Sequence, residues 1–292
     1  MIDTHTQTVG VIGWPVEHSL SPAMHNAALR SMGLNWVYLA FPVAPDAVAE
    51  AVGAVRGLGL VGLNVTIPHK QAVTEYLDDL DDAARALGAV NTIARRGDRL
   101  IGHNTDGPGF LRSLQEEGHS AAGRAVTIIG AGGAARSVAW ALAGAGASTL
   151  FVLNRTPEKA EAVAELAGER AGPAEVSIGP LTGRVAEEAV TGADLVVDCT
   201  SVGMYPRVEE GPVVPGEWLH EGQVVVDLTY NPRETTLLRA ARARGAAVVD
   251  GTGMLVHQGA ISLRHWSGRE APVEVMRQAL LEALAARQQP PV

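Results

Sequence analysis

Short runs of aliphatic and β-branched residues recur along the chain and are separated by longer segments with apolar residues at helical spacing. The runs are "TVGVIG" (8–13), "VYLAFPV" (37–43), "LNVTI" (63–67), "AVTIIG" (125–130), "STLFVL" (148–153), "ADLVVD" (193–198), "QVVVDL" (223–228) and "AAVVD" (246–250). Their length and composition predict buried strands. Helices are predicted between them, over 22–32, 46–56, 133–144, 157–168 and 235–244. Such alternation defines an α/β fold. One piece departs from it: "NTIARRGDRLIGHNT" (91–105) reads as two short strands turning on Gly97-Asp98, a small antiparallel hairpin. A connecting helix follows within 106–120, and from Ala125 a strand–glycine loop–helix–strand pattern begins afresh, as in a Rossmann half. Two last helices, 253–267 and 272–287, could cap either domain, and the tail "RQQPPV" is expected to fray.

Composition narrows the functional classes. A chain of 292 residues exceeds one ordinary domain. Its 47% hydrophobic and 19% charged residues are those of a soluble globular protein. The net charge of -9, without a long basic run, argues against nucleic acid as a partner. The longest apolar stretch, near 138–153, is broken by Gly144, Gly146 and Ser148, so no membrane span is expected. A single cysteine, Cys199, excludes an intramolecular disulfide and a thiolate zinc site. The start lacks a signal-peptide pattern, and a cytoplasmic protein is expected. No metal-ligand cluster is present in the sequence.

The strongest local motif is "VTIIGAGGAARSVAWAL", in which Gly130, Gly132 and Ala135 take the G-x-G-x-x-G/A spacing after a strand and at the start of a helix. The first glycine allows the tight turn, the second admits a pyrophosphate to the backbone, and the helix N-terminus favours its charge. A tight turn without a ligand is the bland alternative. The next strand ends "LFVLNRTPEK". Where an NAD site carries an acidic residue for the ribose, this chain has Asn154 and Arg155. Loss of the carboxylate removes repulsion toward a 2′-phosphate, and Arg155 can grip one. Thr156 could add a donor or act as an N-cap ahead of Pro157, while Lys159 could assist or be a solvated charge. NADP is therefore the expected cofactor.

Polar residues cluster in several other motifs. In "WPVEHSLSPAMHN", Pro22 in the first helical turn makes Ser21 a natural N-cap, and Ser19 shares its side of an extended backbone. Two hydroxyls there suit a carboxylate or polyol. "NVTIPHK" offers Asn64 and Thr66 at same-side spacing, with Lys70 past the strand end. Lysine occurs only at Lys70 and Lys159 in this arginine-rich chain, and a lysine can trade a proton where an arginine does not. "GAVNT" supplies Asn91, and "GHNTDGPGF" supplies Asp106, which could equally be a helix cap. Gln258 falls on one face with Met254 and Ile261, an amide on an apolar stripe that needs a partner.

Taken together, "GWPVEHSLSPAMHN", "NVTIPHK", "GAVNT", "GHNTDGPGF", "GAGGAAR", "NRT", "TSVGM", "DLTYNPRETTLL" and "DGTGMLVHQGA", in that order, closely resemble the shikimate dehydrogenases. These enzymes reduce 3-dehydroshikimate with NADPH. The resemblance spans nearly the whole chain. It implies a substrate-binding domain over 1–106 completed by the helices of 253–292, an NADP-binding Rossmann domain over 107–252, and a cleft between them. It implies that Ser19 and Ser21 bind the substrate carboxylate, that Asn64, Thr66, Asn91 and Gln258 contact carboxylate or ring hydroxyls, and that Tyr230 lies near the substrate. Lys70 and Asp106 would form the catalytic pair and touch substrate. The cofactor would meet Gly130, Ala131, Gly132, Gly133, Ala134, Asn154, Arg155, Thr156 and Lys159, with Thr200, Ser201, Gly251 and Met254. A monomer or homodimer in aromatic amino-acid biosynthesis would follow. Three positions depart from the family pattern: Asp198 stands where asparagine is usual, and His257 and Gly259 flank Gln258 where small apolar residues are usual.

A cationic lysine beside a ketone polarises it and can donate the proton as charge grows on oxygen. A nearby carboxylate would keep the lysine charged, whereas desolvation pushes the other way. Three further readings compete with the main one. An NAD-dependent quinate/shikimate dehydrogenase is disfavoured by "NRT", an amino-shikimate dehydrogenase is a further relative, and a non-catalytic NADP-binding sensor would not need Lys70 and Asp106.

Overall fold

In the computed structural model, residues 2–172 and 174–288 are described; the last four residues of the tail lie outside them. The elements in chain order begin with β1 (Gln7–Gly13), α1 (Ser21–Ser31), β2 (Trp36–Pro42), α2 (Val48–Gly57), β3 (Gly62–Val65), β4 (Asp79–Leu80), α3 (Asp82–Leu87), β5 (Thr92–Arg96) and β6 (Arg99–His103). There follow α4 (Asp106–Glu116), β7 (Ala125–Ile129), α5 (Gly133–Gly144), β8 (Thr149–Leu153), α6 (Pro157–Gly168), β9 (Glu175–Gly179), α7 (Arg184–Thr191), β10 (Leu195–Asp198), β11 (Val224–Asp227), α8 (Thr236–Ala243) and β12 (Ala247–Val249). The chain ends in α9 (Thr252–Ser267) and α10 (Val273–Gln288). It divides into two compact units, Met1–Thr105 with Val256–Val292, and Asp106–Leu255, so the division falls within α9.

The first unit is built on a six-stranded sheet ordered β2-β1-β3-β5-β6-β4. Only β5 runs against its neighbours, through the hairpin that turns at Gly97-Asp98. Ile12, Leu63, Val65, Val52, Val55, Ile93 and Leu100 form the core between sheet and helices. The Trp266 indole on α9 donates to the Ile93 carbonyl at 2.9 Å and ties that helix to the sheet. Asn26 on α1 brackets β2, donating to the Tyr38 carbonyl at 2.8 Å and accepting the Tyr38 N–H at 2.9 Å.

The second unit carries a fully parallel sheet ordered β12-β11-β10-β7-β8-β9. In sequence rank this is the doubly wound Rossmann order, whose strand order reverses beside β7. Strands buried on both faces need apolar runs: Val126, Ile128, Leu150, Val152, Leu195, Val197, Val224 and Val226 join Val138, Leu142 and Val163 in one core. Helix α4 lies close on α5 because Gly107 has no side chain. A Cβ there would stand 2.8 Å from the Ser137 carbonyl oxygen.

Candidate active site

In the first unit hydrogen bonds link the start of α1 to β2 and β3: Ser21 and Asn64 meet through Tyr38, and Asn64 meets Asn91. Ser21 is not the helix cap that its sequence suggests. Leu20 occupies that position with backbone angles already helical (φ -96, ψ -3) and without a side-chain cap, so helical geometry begins one residue early and Ser21 is the first helical residue. Ser19 Oγ instead accepts the Ser21 N–H at 3.2 Å. The loop before it is held from α10, where Arg287 donates to the carbonyls of His18 (2.6 Å) and Ser19 (3.3 Å). Both serines are half-buried.

Behind the serines lies a buried network centred on Asn64. Its Oδ1 accepts the Tyr38 hydroxyl at 2.8 Å. Its Nδ2 faces Ser262 Oγ (3.0 Å), Thr92 Oγ1 (3.1 Å) and the Asn91 carbonyl (3.1 Å). Asn91 in turn donates to Thr105 Oγ1 at 2.9 Å and accepts the Thr105 N–H at 2.8 Å, which fixes the chain just before Asp106. The Tyr38 phenol, also bonded to Ser21, is pushed well above its ordinary range by burial and stays a neutral donor. His25 stacks on Tyr38 at 4.2 Å. Its Nδ1–H donates to the Ser21 carbonyl, and burial pushes the imidazole down to about 4, so it is neutral. Tyr38, Thr92, Thr105, Ser262 and Arg287 do not stand out in the sequence. Thr92 and Thr105 lie in the motifs of Asn91 and Asp106 without being singled out, whereas Tyr38, Ser262 and Arg287 sit on elements remote in sequence from the residues they support; Ser262, one turn after Gln258, carries a positional hint.

Strand β3 ends at Val65, earlier than the run "LNVTI" suggests, and Thr66 follows it with its N–H on the Ile12 carbonyl at 2.9 Å. Lys70 is half-buried in the turn 67–70, anchored through its carbonyl, which accepts the Val90 N–H at 2.7 Å, and through its neighbour His69, which donates to the Val43 carbonyl at 2.7 Å. Gln258 is half-buried on α9, and its carbonyl accepts Ser262 Oγ at 2.9 Å.

In the second unit, Asp106 is buried as the first residue of α4, inside the helix rather than capping it, where a negative charge suits the helix N-terminus. The glycine loop has the form its spacing predicts. Gly130 turns with φ 101, Ala135 is buried against the sheet, and Gly132 (φ -84) precedes α5 as its cap residue. A Cβ at Gly132 or Gly133 would meet nothing within 4 Å, so no side chain crowds the backbone there. Beyond β8, Asn154 donates to the Thr156 carbonyl at 2.9 Å, and Thr156 is the cap residue of α6 yet makes no side-chain cap bond. Arg155, Thr156 and Lys159 are exposed, and among the described residues neither cation has an acidic partner. Bare glycine backbone, a helix N-terminus and free cations in place of a carboxylate are what a dinucleotide bearing a 2′-phosphate requires, so the residues fit NADP. Thr200 and Ser201 follow β10, half-buried and exposed respectively. Tyr230 follows β11, and Gly251 is packed so that a Cβ would collide with the Leu228 carbonyl. Met254 on α9 lies against the core.

Fold and site define a two-unit α/β protein whose second unit is a dinucleotide-binding one. The chain belongs to the shikimate dehydrogenase family: residues 11–93 match the family described as shikimate dehydrogenase substrate binding domain, 113–243 match shikimate / quinate 5-dehydrogenase, and 251–281 match the shikimate 5'-dehydrogenase C-terminal domain. A relative from Methanopyrus kandleri, named shikimate dehydrogenase (NADP(+)), is 52% identical over 97% of this chain and 98% of its own length. A crystal structure of shikimate 5-dehydrogenase from Listeria monocytogenes with shikimate and NAD has a TM-score of 0.91 at 34% identity, covering 96% of this chain and 98% of that one. The Thermus thermophilus enzyme with NADP(H) and shikimate gives 0.86 at 39% identity, covering 95% and 99%. Among the described residues no helix is long and apolar enough to cross a membrane.

Proposed function

We propose that this protein catalyses the reversible, NADP-linked interconversion of 3-dehydroshikimate and shikimate. The observation that carries the reading is the pairing of two chemistries in one family member: a hydroxyl–amide cluster suited to a polyol carboxylate, and a Rossmann unit with free cations after β8. Ser19 and Ser21 would take the carboxylate. Thr66, Asn91, Gln258 and Tyr230 would meet it or the ring hydroxyls, with Asn64 held rigid for the same purpose. Gly130, Ala131, Gly132, Gly133 and Ala134 would receive the pyrophosphate, and Asn154, Arg155, Thr156 and Lys159 the adenosine 2′-phosphate. Thr200, Ser201, Gly251 and Met254 would complete the cofactor site. The substrate domain over 1–106 with 253–292 and the cofactor domain over 107–252 remain our assignment of these roles.

Bound NADPH supplies a hydride to the ketone carbon. Lys70 would polarise the ketone oxygen and deliver the proton that turns it into the hydroxyl, and Asp106 would hold the lysine ammonium in register. In the reverse direction Lys70 accepts the hydroxyl proton as the hydride leaves. The lone cysteine suits work in a reducing compartment such as the cytoplasm. Formation of NADPH from NADP and shikimate by the purified protein tests the reading. Tight NADP binding without any turnover would instead leave a binding protein built on an enzyme fold.

A further inference from the structure

Two buried carboxylates lie side by side at the carboxyl ends of adjacent strands in the second unit. Parallel strands β10 and β11 register Asp198 against Asp227, and residues so paired point to the same face. Asp198 is 1% exposed and Asp227 0%. Each organises the turn after its own strand. Asp198 Oδ1 accepts the Thr200 N–H at 2.8 Å, Asp227 Oδ1 accepts the Thr229 N–H at 2.8 Å, and Asp227 Oδ2 accepts the Thr235 hydroxyl at 2.6 Å. Thr200 Oγ1 then accepts the Val202 N–H at 3.2 Å. The Thr200 methyl abuts the glycine loop, since a Cβ at Gly130 would stand 3.1 Å from it.

The groups that face Asp198 carry no positive charge. From β11 comes Asp227, from its own strand end the Cys199 thiol, and from β7 the apolar Ile129 in register. Asp250 lies further off, acts on Asp227, and is itself paired with Arg233 at 2.9 Å. Two buried carboxylates without a cation do not both ionise readily.

We propose that Asp198 is a positioning residue for the dinucleotide: its carboxyl holds the Thr200–Val202 turn against the glycine loop, and the second negative charge that its ionisation places beside Asp227 weakens binding of the anionic NADP. The proposal rests on the reading of this unit as the NADP-binding one. Burial, reinforced by Asp227, pushes Asp198 up to about 7, so the proton leaves in the neutral range. A carboxyl raised above its unfolded value of 3.8 contributes stability that is full below that value and is lost as pH rises toward about 7. Asp198→Asn keeps the shape and the acceptor for Thr200 while fixing the neutral state.

The test measures NADP+ affinity by calorimetry for the wild type and Asp198→Asn from about pH 6 to about pH 9, with urea unfolding of both apo proteins across the acid-to-neutral range. The nucleotide phosphate titrates nearby, so the readout is the ratio of the two affinities at each pH. That ratio should shift by about tenfold in favour of Asp198→Asn as pH rises, one decade of affinity per pKa unit of linkage. The variant should also lose the wild-type decline in stability. A pH-independent ratio with both proteins binding NADP overturns the proposal. No NADP binding by either protein overturns the cofactor reading and this proposal with it. Should the variant fail to fold, the wild type alone decides: an infrared carboxylic-acid band must be present near pH 6 and gone near pH 9, and any other pattern rejects a buried carboxyl that ionises across that range.

Discussion

At the residue scale the proposed chemistry turns on Lys70 and the cofactor choice on Arg155. Replacing Lys70 by alanine should lower kcat by about a hundredfold or more, the usual contribution of a proton-transfer group. A raised KM with near-normal kcat, measured by steady-state kinetics, would reduce Lys70 to a binding role. Replacing Arg155 by alanine should cost about tenfold to a hundredfold in kcat/KM with NADP and little with NAD, the scale of a lost charged hydrogen bond. Equal losses with both cofactors would contradict its contact with the 2′-phosphate. Both stand out as candidates in sequence, Lys70 because a lysine follows a strand end among motifs that bring Asp106 and a dinucleotide loop, and Arg155 because a strand end without a carboxylate has a physical meaning. Tyr38 and Arg287 are not legible, since a tyrosine on an apolar strand and an arginine near a chain end look ordinary until the fold brings them to Asn64 and Ser19.

At the scale of elements, the glycine loop separates ligand effects from stability effects. Gly132 has φ -84 and open space beyond its missing side chain, so Gly132→Ala should leave apo stability within about 0.5 kcal/mol. The same change should weaken NADP+ binding by about tenfold or more, because it fills the approach to the backbone. Unchanged affinity in a titration would move the phosphate site elsewhere. Gly107→Ala makes the opposite case. Its Cβ would press on the backbone of α5, and a loss of about 1–3 kcal/mol in urea unfolding is expected. Helices α5 and α6 match their predicted spans because long amphipathic segments with clear breaks are well specified. Sequence pattern misses β4, with two residues, β9, whose "EVSIG" mixes polar positions, and the short helices α3 and α7. Short elements carry too few positions for a period to emerge. Ser21 reads as a cap in sequence because the backbone at Leu20, which decides where the helix starts, leaves no mark on composition.

At the scale of the whole molecule, the strand succession is legible but the spatial order of the strands is not. The adjacency of Asp198 and Asp227 exists only because β10 and β11 pair in register, a long-range fact that local pattern does not encode. Burial gives the two units opposite pH responses. His25 titrates at about 4 when folded and 6.5 when unfolded, so the stability it contributes is present above pH 6.5 and is lost as pH falls toward 4. Unfolding monitored by Trp266, which packs near His25 in the first unit, should therefore shift to lower urea across that acid window; a flat profile would mean that His25 accepts a proton without cost. The central claim, catalysis on shikimate with NADP, is tested most directly by kcat/KM for shikimate and quinate, each with NADP and NAD. The account predicts that shikimate with NADP exceeds every other pair by about tenfold or more, as buried polar recognition of hydroxyl and phosphate groups allows. An equal or higher value for quinate with NAD would contradict it.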